Sequence, residues 1–174
     1  MATHYPIRPA RENDLARLQD IERSAGTLFS QIGMALVADD DPPSIDTLRE
    51  FAGAGRAWVS TDDADRPVAY LLADVVDANA HLEQVSVHGD FMHRGIGVAL
   101  LAHMIEWAQA RELPAITLTT YTEVPWNGPY YERRGFRYLT EDEETPGLKA
   151  IRAGEIAHGL DQWPRACMRR DLRQ

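Results

Sequence analysis

Apolar residues recur along this chain with two different periods. Ile7-Arg8-Pro9-Ala10 reads as a short strand. Leu15, Leu18, Ile21, Ala25 and Leu28 follow at helical spacing, with Asn13 or Asp14 placed as a cap. Residues 30–43 lose the pattern and end in Asp39-Asp40-Asp41-Pro42-Pro43, so they read as a loop. Ser44 can cap a second short helix through Phe51, stopped by Gly53 and Gly55. Residues 56–60 and 67–76 read as strands joined by a polar turn, and a third strand follows at 80–88. A long helix after Gly97 is apolar on most sides, through Val98, Leu100, Leu101, Met104, Ile105, Trp107 and Ala108. Residues 115–121 form a β-branched strand, 129–134 a short helix, and strands follow from Phe136 and at 165–172.

The strand, helix and strand across 80–121 leave room for a crossover between parallel strands. The expected architecture is therefore mixed α/β, a largely antiparallel sheet with one parallel pair, covered by helices. No repeat and no linker divides the chain, so residues 1–174 are read as one domain.

Composition narrows the function. The chain carries 27 acidic and 18 basic residues, a formal charge of -9. Nucleic-acid binders usually show a basic excess, so no nucleic-acid partner is expected. Apolar stretches are broken by charge too soon to span a bilayer, and no secretory signal is visible, so a cytoplasmic protein with no membrane partner is expected. Cys167 is the only cysteine, which excludes an intrachain disulfide and a cysteine zinc cluster. No HExxH pair occurs among the six histidines, and no metal is expected. Cys167 falls in the last strand with no basic partner, as a buried inert thiol would.

The segment from Val85 to Leu100 carries most of the chemistry. A strand runs into His93-Arg94-Gly95-Ile96-Gly97, which opens a helix. Unpaired N–H groups and the positive helix end suit such a turn to phosphate oxygens. Gly95 and Gly97 remove side chains that would block close approach, and Arg94 adds a charge. A simple tight turn explains a lone GxG as well. There is no GxxxxGK[ST], and Leu100 breaks a GxGxxG fingerprint.

Met92-His93-Arg94-Gly95-Ile96-Gly97 resembles the Q/R-x-x-G-x-G/A acetyl-CoA motif of the GNAT N-acetyltransferase family, with Met92 in the place of Gln or Arg. The resemblance covers nearly the whole chain. Ile7-Arg8-Pro9-Ala10 is similar to the family's first strand, and Tyr131-Glu132-Arg133-Arg134-Gly135-Phe136 to its late Y-x-x-x-G-F element. It implies a GNAT fold, with six to seven strands, about four helices and a splay at the parallel pair. It also implies acetyl-CoA as co-substrate: pantetheine along Val85 and Val87, and pyrophosphate on the amides from His93 to Val98. The family allows a homodimer.

Acetyl transfer to an amine needs a neutral nucleophile, and holding a lysine-like amine neutral at pH 7 costs about 4.6 kcal/mol. A base offsets part of this. Glu83 lies in the strand His81-Leu82-Glu83-Gln84-Val85, where burial would be costly without a purpose, and the family often places a base near there. An edge-facing or salt-bridged Glu is the bland alternative. His81 is the neighbouring candidate base, read first as a partly exposed structural His. By resemblance, Tyr131 is the acid for the coenzyme thiolate; a packing tyrosine is the alternative. Asn127 is either a helix cap or a coenzyme contact, and Trp126 either a wall of the acceptor pocket or core. On the first helix, Glu22 could hold an ammonium but reads first as a solvated helix-face residue; Phe29 lies nearby.

These readings imply direct acetyl transfer from acetyl-CoA to a primary amine of a small molecule. A non-catalytic acyl-CoA sensor and a protein or peptide acetyltransferase are the alternatives.

Overall fold

The computed structural model describes residues 4–173. Strand β1 (Ile7–Pro9) is followed by a 3-10 turn, Glu12–Asp14, and helix α1 (Leu15–Ser30). Asp14 does not cap α1 through its side chain. Its carboxylate accepts the Arg11 N–H at 2.7 Å and pairs with both Arg8 amino groups at 2.8 and 3.1 Å. Residues 30–43 are not all loop, because a single turn of helix, α2 (Ala35–Ala38), interrupts them. Helix α3 (Ile45–Gly53) starts where expected, with the Ser44 hydroxyl oxygen accepting the Thr47 N–H at 3.1 Å.

Strands β2 (Ala57–Thr61), β3 (Pro67–Val76) and β4 (Asn79–Val87) come next, then helix α4 (Ile96–Ala110) and strand β5 (Ala115–Tyr121). Helix α5 (Gly128–Glu132), strand β6 (Arg137–Tyr138), helix α6 (Pro146–Ala157) and strand β7 (Arg165–Asp171) complete the chain. The strands form one seven-stranded sheet in the order β1-β2-β3-β4-β5-β7-β6. β4 and β5 are the parallel pair, aligned at Ala80–Ile116 and His81–Thr117. The described residues contain six α-helices, more than the four or so expected.

The fold divides into two compact units. One takes in the chain up to Asp74 with Glu83–Met104; the other takes in Val75–Leu82 with the chain from Ile105 on. In the first, Leu15, Leu18 and Ile21 of α1 and Leu48 of α3 pack on Ala57, Val59, Tyr70 and Leu72. Neighbouring Trp58 points to the other face by strand alternation. It meets His103 of α4 there, with ring centroids 5.4 Å apart.

In the second unit β5 pairs with β7 along its whole length, from Ala115–Asp171 to Tyr121–Arg165. Helix α6 lays Leu148 and Ile151 against Leu139 and Cys167. Its start is held by tertiary contact. The Gly147 N–H donates to Asp77 Oδ2 at 2.8 Å, and a Cβ on Gly147 would stand 2.5 Å from Val76 Cγ1.

Candidate active site

In the first unit, β4 delivers the chain into a curled turn. Gly89–Phe91 make one 3-10 turn, and the Gly89 N–H donates to the Ser24 hydroxyl of α1 at 2.9 Å. His93 and Gly95 then both take the left-handed conformation, at φ 61° and 77°. α4 begins directly after, and its intrahelical ladder starts with the Ala99 N–H on the Gly95 carbonyl at 3.0 Å. The N–H groups from Gly95 to Val98 precede that first bond and have no acceptor within the helix. Left-handed Gly95 followed by helical residues makes the concave run of N–H groups that binds anions. His93, Arg94, Gly95 and Val98 are exposed, and Met92 and Gly97 half-buried, so the turn is open to a polyphosphate.

Arg94 was expected to face phosphate. Its guanidinium is engaged elsewhere: it donates to the Tyr5 hydroxyl at 2.6 Å and the Asp90 carbonyl at 3.1 Å, and lies 5.1 Å from the Phe91 ring centroid. These contacts border an open cleft of about 420 Å³ lined by Tyr5, Ile7, Arg94, Gly95 and Ala99. Met92 is apolar, and Arg94 spends two of its five N–H donors on neutral partners, so the backbone N–H groups and the remaining charge of Arg94 are what this turn can offer an anion. That fits a coenzyme A pyrophosphate held by N–H groups.

Glu83 is exposed on β4, so no burial cost arises there, while Val85 and Val87 are half-buried. The solvated reading of Glu22 fails. Its half-buried carboxylate receives the Tyr70 hydroxyl at 2.6 Å, the Ser86 hydroxyl at 2.5 Å and the Gln84 amide at 3.2 and 3.3 Å. Burial first, then the charge of Glu22, pushes the Tyr70 phenol well above its usual range. Sequence reasoning missed Tyr70, Gln84 and Ser86. The available signal was two polar residues two apart on β4, which share a face. Phe29 is half-buried near the end of α1, and Asp39–Asp41 are exposed.

In the second unit His81 is buried, at 2% exposure, contrary to the partly exposed reading. Its Nδ1 lies 2.9 Å from the Thr117 hydroxyl across the parallel pair. Trp126 and Asn127 are half-buried. The Asn127 side chain makes no capping bond; its carbonyl instead accepts the Tyr131 N–H at 3.1 Å.

The Tyr131–Phe136 element has a physical reason for its spacing. The Phe136 N–H reaches back to the Tyr131 carbonyl at 3.1 Å, and the Gly135 N–H to the Glu132 carbonyl at 3.1 Å. This is a Schellman cap, with Gly135 left-handed at φ 86°. The cap brings the rings of Tyr131 and Phe136 to 5.6 Å. Tyr130 packs edge-on to Tyr131, and Arg134 stacks 3.7 Å above Tyr130. Among the described residues the Tyr131 hydroxyl has no hydrogen-bond partner, while burial first and Tyr130 second keep it protonated well above the usual phenol range.

Cys167 is buried, and its thiol is pushed up to about 12 by burial and then by Glu144. Among the described residues no group of three or more His, Cys, Asp or Glu is placed to hold a metal ion, and no helix is long and apolar enough to cross a membrane.

The fold is shared with solved acetyltransferases. A GNAT acetyltransferase from Staphylococcus aureus shares the fold at TM-score 0.74 and 14% identity, covering 97% of this chain and 99% of that one. An Escherichia coli N-acetyltransferase of a ribosomal-protein alanine gives 0.68 at 19% identity, over 98% and 95% of the two chains. The PaiA N-acetyltransferase of Thermoplasma acidophilum, solved with coenzyme A, gives 0.70 at 12% identity, over 96% and 98%. The family model for the GNAT acetyltransferases matches residues 17–136, a span that runs from α1 through the turn at 93–98 to the Tyr131–Phe136 cap. With that match over more than half its length, the chain belongs to the GNAT family and is an acyl-CoA-dependent acetyltransferase.

Proposed function

We propose that this protein transfers the acetyl group of acetyl-CoA directly to a primary amine of a small molecule, within a ternary complex. The observation that carries the reading is the anion-binding turn at 93–98, where backbone N–H groups are left open ahead of α4. Val85 and Val87 would carry the pantetheine arm along β4, with Asn127 as a further coenzyme contact. The amine nitrogen attacks the thioester carbon, the carbon–sulfur bond breaks, and the sulfur leaves with the electron pair. Glu83, exposed on β4, takes a proton from the amine directly or through water. His81 is buried against Thr117, which favours a positioning role over that of base.

Tyr131 is the group assigned to the departing sulfur. A free thiol titrates near 8.5 and a free phenol near 10. Burial raises Tyr131 further, which widens that gap. Its role is therefore donation of a hydrogen bond to the charge developing on sulfur, completed as proton transfer when the nitrogen's proton is released. The protonated Cys167 thiol supports direct transfer over an acyl-cysteine intermediate.

An acceptor screen over polyamines, aromatic amines, amino acids and aminoglycosides, read by release of free coenzyme thiol, tests the reading. Turnover with at least one amine is expected. Tyr131→Phe should lose about 10²–10⁴ in kcat, the usual range for a lost proton-transfer group, with coenzyme affinity retained. Tight coenzyme binding without transfer to any amine would move the reading to an acyl-CoA sensor, which the apolar Met92 favours. Acetylated peptides in an incubated lysate would move it to a peptide acceptor, the reading favoured by the Escherichia coli neighbour.

A further inference from the structure

The hydrogen-bond cluster on α1 and β4 has an unbalanced charge. Glu22 Oε2 takes the protons of Tyr70 at 2.6 Å and Ser86 at 2.5 Å. The Gln84 amide nitrogen bridges to Ser86 Oγ at 2.9 Å and to the two Glu22 oxygens at 3.2 and 3.3 Å. Each hydroxyl has one proton, and each is spent on the carboxylate. Every donor in the cluster is neutral. Among the described residues no Lys, Arg or His pairs with Glu22, whereas Glu12, Asp14 and Glu155 each pair with arginine.

A carboxylate withdrawn from water normally has a cation or a full set of donors. Here the donors crowd one oxygen. Oε1 receives only the long Gln84 contact, leaving a lone pair for a further donor. The carboxylate is also fixed: Tyr70 is fully buried and Ser86 nearly so, and these two clamp its orientation. Two residues along α1, Ser24 binds the Gly89 N–H at the entrance to the phosphate-binding turn. The charge is therefore held rigidly beside the strand that leads into that turn.

We infer that Glu22 is the acceptor-binding carboxylate, oriented by Tyr70, Ser86 and Gln84 to receive the ammonium group of a small primary amine. An ammonium carries three N–H donors and one positive charge, the two things the cluster lacks. Glu22 thereby selects amines that are protonated at neutral pH over neutral ones. This assignment rests on the acetyl-transfer reading for its place in the reaction but not for its test.

The test is binding of benzylamine and 1,4-diaminobutane, both cations at pH 7.5, and of aniline, which is neutral there. Affinities are measured by calorimetry or ligand-observed NMR on the full chain with coenzyme A present. Wild type should prefer the two cations. Glu22→Gln keeps the shape and should weaken them by about 10–100-fold, the loss of a charge-assisted contact, with aniline and coenzyme A affinities unchanged. Tyr70→Phe keeps the charge but frees the carboxylate, and should weaken the cations by a smaller factor. Where transfer is observed, the Glu22→Gln loss should appear in KM for the amine and not in kcat. Equal affinity of wild type and Glu22→Gln for the cations, no preference of wild type for cations over aniline, or no binding of either cation overturns the assignment. Binding without transfer would leave Glu22 as a cation site and count against the catalytic reading alone.

Discussion

The same chemical change at two glycines should have opposite consequences. Gly95 stands at φ 77° with open space around it, so an added Cβ meets no neighbour and the whole penalty is conformational. A left-handed alanine costs about 1–2 kcal/mol, offset by about 0.4–1 kcal/mol because alanine restricts the unfolded chain. Gly95→Ala should therefore destabilise by roughly 0.5–1.5 kcal/mol, and lower Tm by about 1–6 °C for a chain of this size. Gly154 lies inside α6 with a Cβ position that is equally open. There alanine should stabilise by about 0.5–1 kcal/mol. Coenzyme binding separates the two further. If the alanine of the Gly95→Ala variant relaxes to a negative φ, the N–H groups of the turn swing away from the phosphates. The variant can return to the left-handed form on binding, so its loss of affinity is capped by the strain, about 5–30-fold. Gly154→Ala should bind as wild type. Calorimetric titration with coenzyme A, beside thermal melts of the three proteins, measures all four quantities. The strain appears in stability if the alanine stays left-handed and in coenzyme affinity if it relaxes. A Gly95→Ala protein that melts as wild type has relaxed, and wild-type coenzyme affinity in that protein would refute the assignment of this turn to the pyrophosphate.

Other outcomes follow from the same geometry. Gly147→Ala drives a Cβ to 2.5 Å from Val76 Cγ1 and 2.6 Å from Asp77 Oδ2, so it should cost about 1–3 kcal/mol by denaturant melts, unlike Gly154→Ala in the same helix. Folded protein should resist iodoacetamide at Cys167 at pH 8, because the thiol is buried and pushed up to about 12, and Cys167→Ala should retain turnover; a folded Cys167→Ala protein without activity would sink direct transfer. For Asp14, burial pushes the carboxyl up, but the Arg8 hydrogen bonds, the Arg11 N–H and both arginine charges outweigh it and leave the pKa below the usual range. Its contribution to stability is thus complete above the unfolded pKa of about 4 and disappears as pH falls through the lower folded value. Asp14→Asn should be less stable at pH 7 and should flatten the acid limb of the stability curve below pH of about 4, which denaturant melts across pH would show.

What was legible in the sequence had local causes. Alternation and β-branching placed β2 through β5, and Ser44 placed the start of α3, because strand faces and caps are decided within a few residues. Helix α6 escaped because two glycines weaken its pattern of Leu148, Ile151 and Glu155. One of them, Gly147, is explained by Val76 and Asp77, about seventy positions earlier in the chain. A residue chosen for a distant neighbour looks like a helix breaker when read among its sequence neighbours. Asp14 misled in the same way: it looked like a cap, but Arg8 recruits its carboxylate into an ion pair.

The site divides along the same line. The turn at 93–98 and the Tyr131–Phe136 cap are both backbone devices, whose glycines answer to φ values at Gly95 and Gly135. Such devices leave a fixed spacing in the sequence, so motif and structure coincide there. The side-chain chemistry does not follow spacing. Arg94 sits inside the motif, yet its charge is drawn to Tyr5, eighty-nine positions away, and to Phe91. Glu22 sits on a helix face that reads as solvated, yet it meets Tyr70, Gln84 and Ser86 from two strands. If the turn at 93–98 holds the coenzyme as proposed, backbone recognition can be shared across a family whose members differ at most positions. On the inference drawn for Glu22, recognition of the acceptor depends on which distant side chains a particular chain brings to one carboxylate, and in this chain those partners are all neutral.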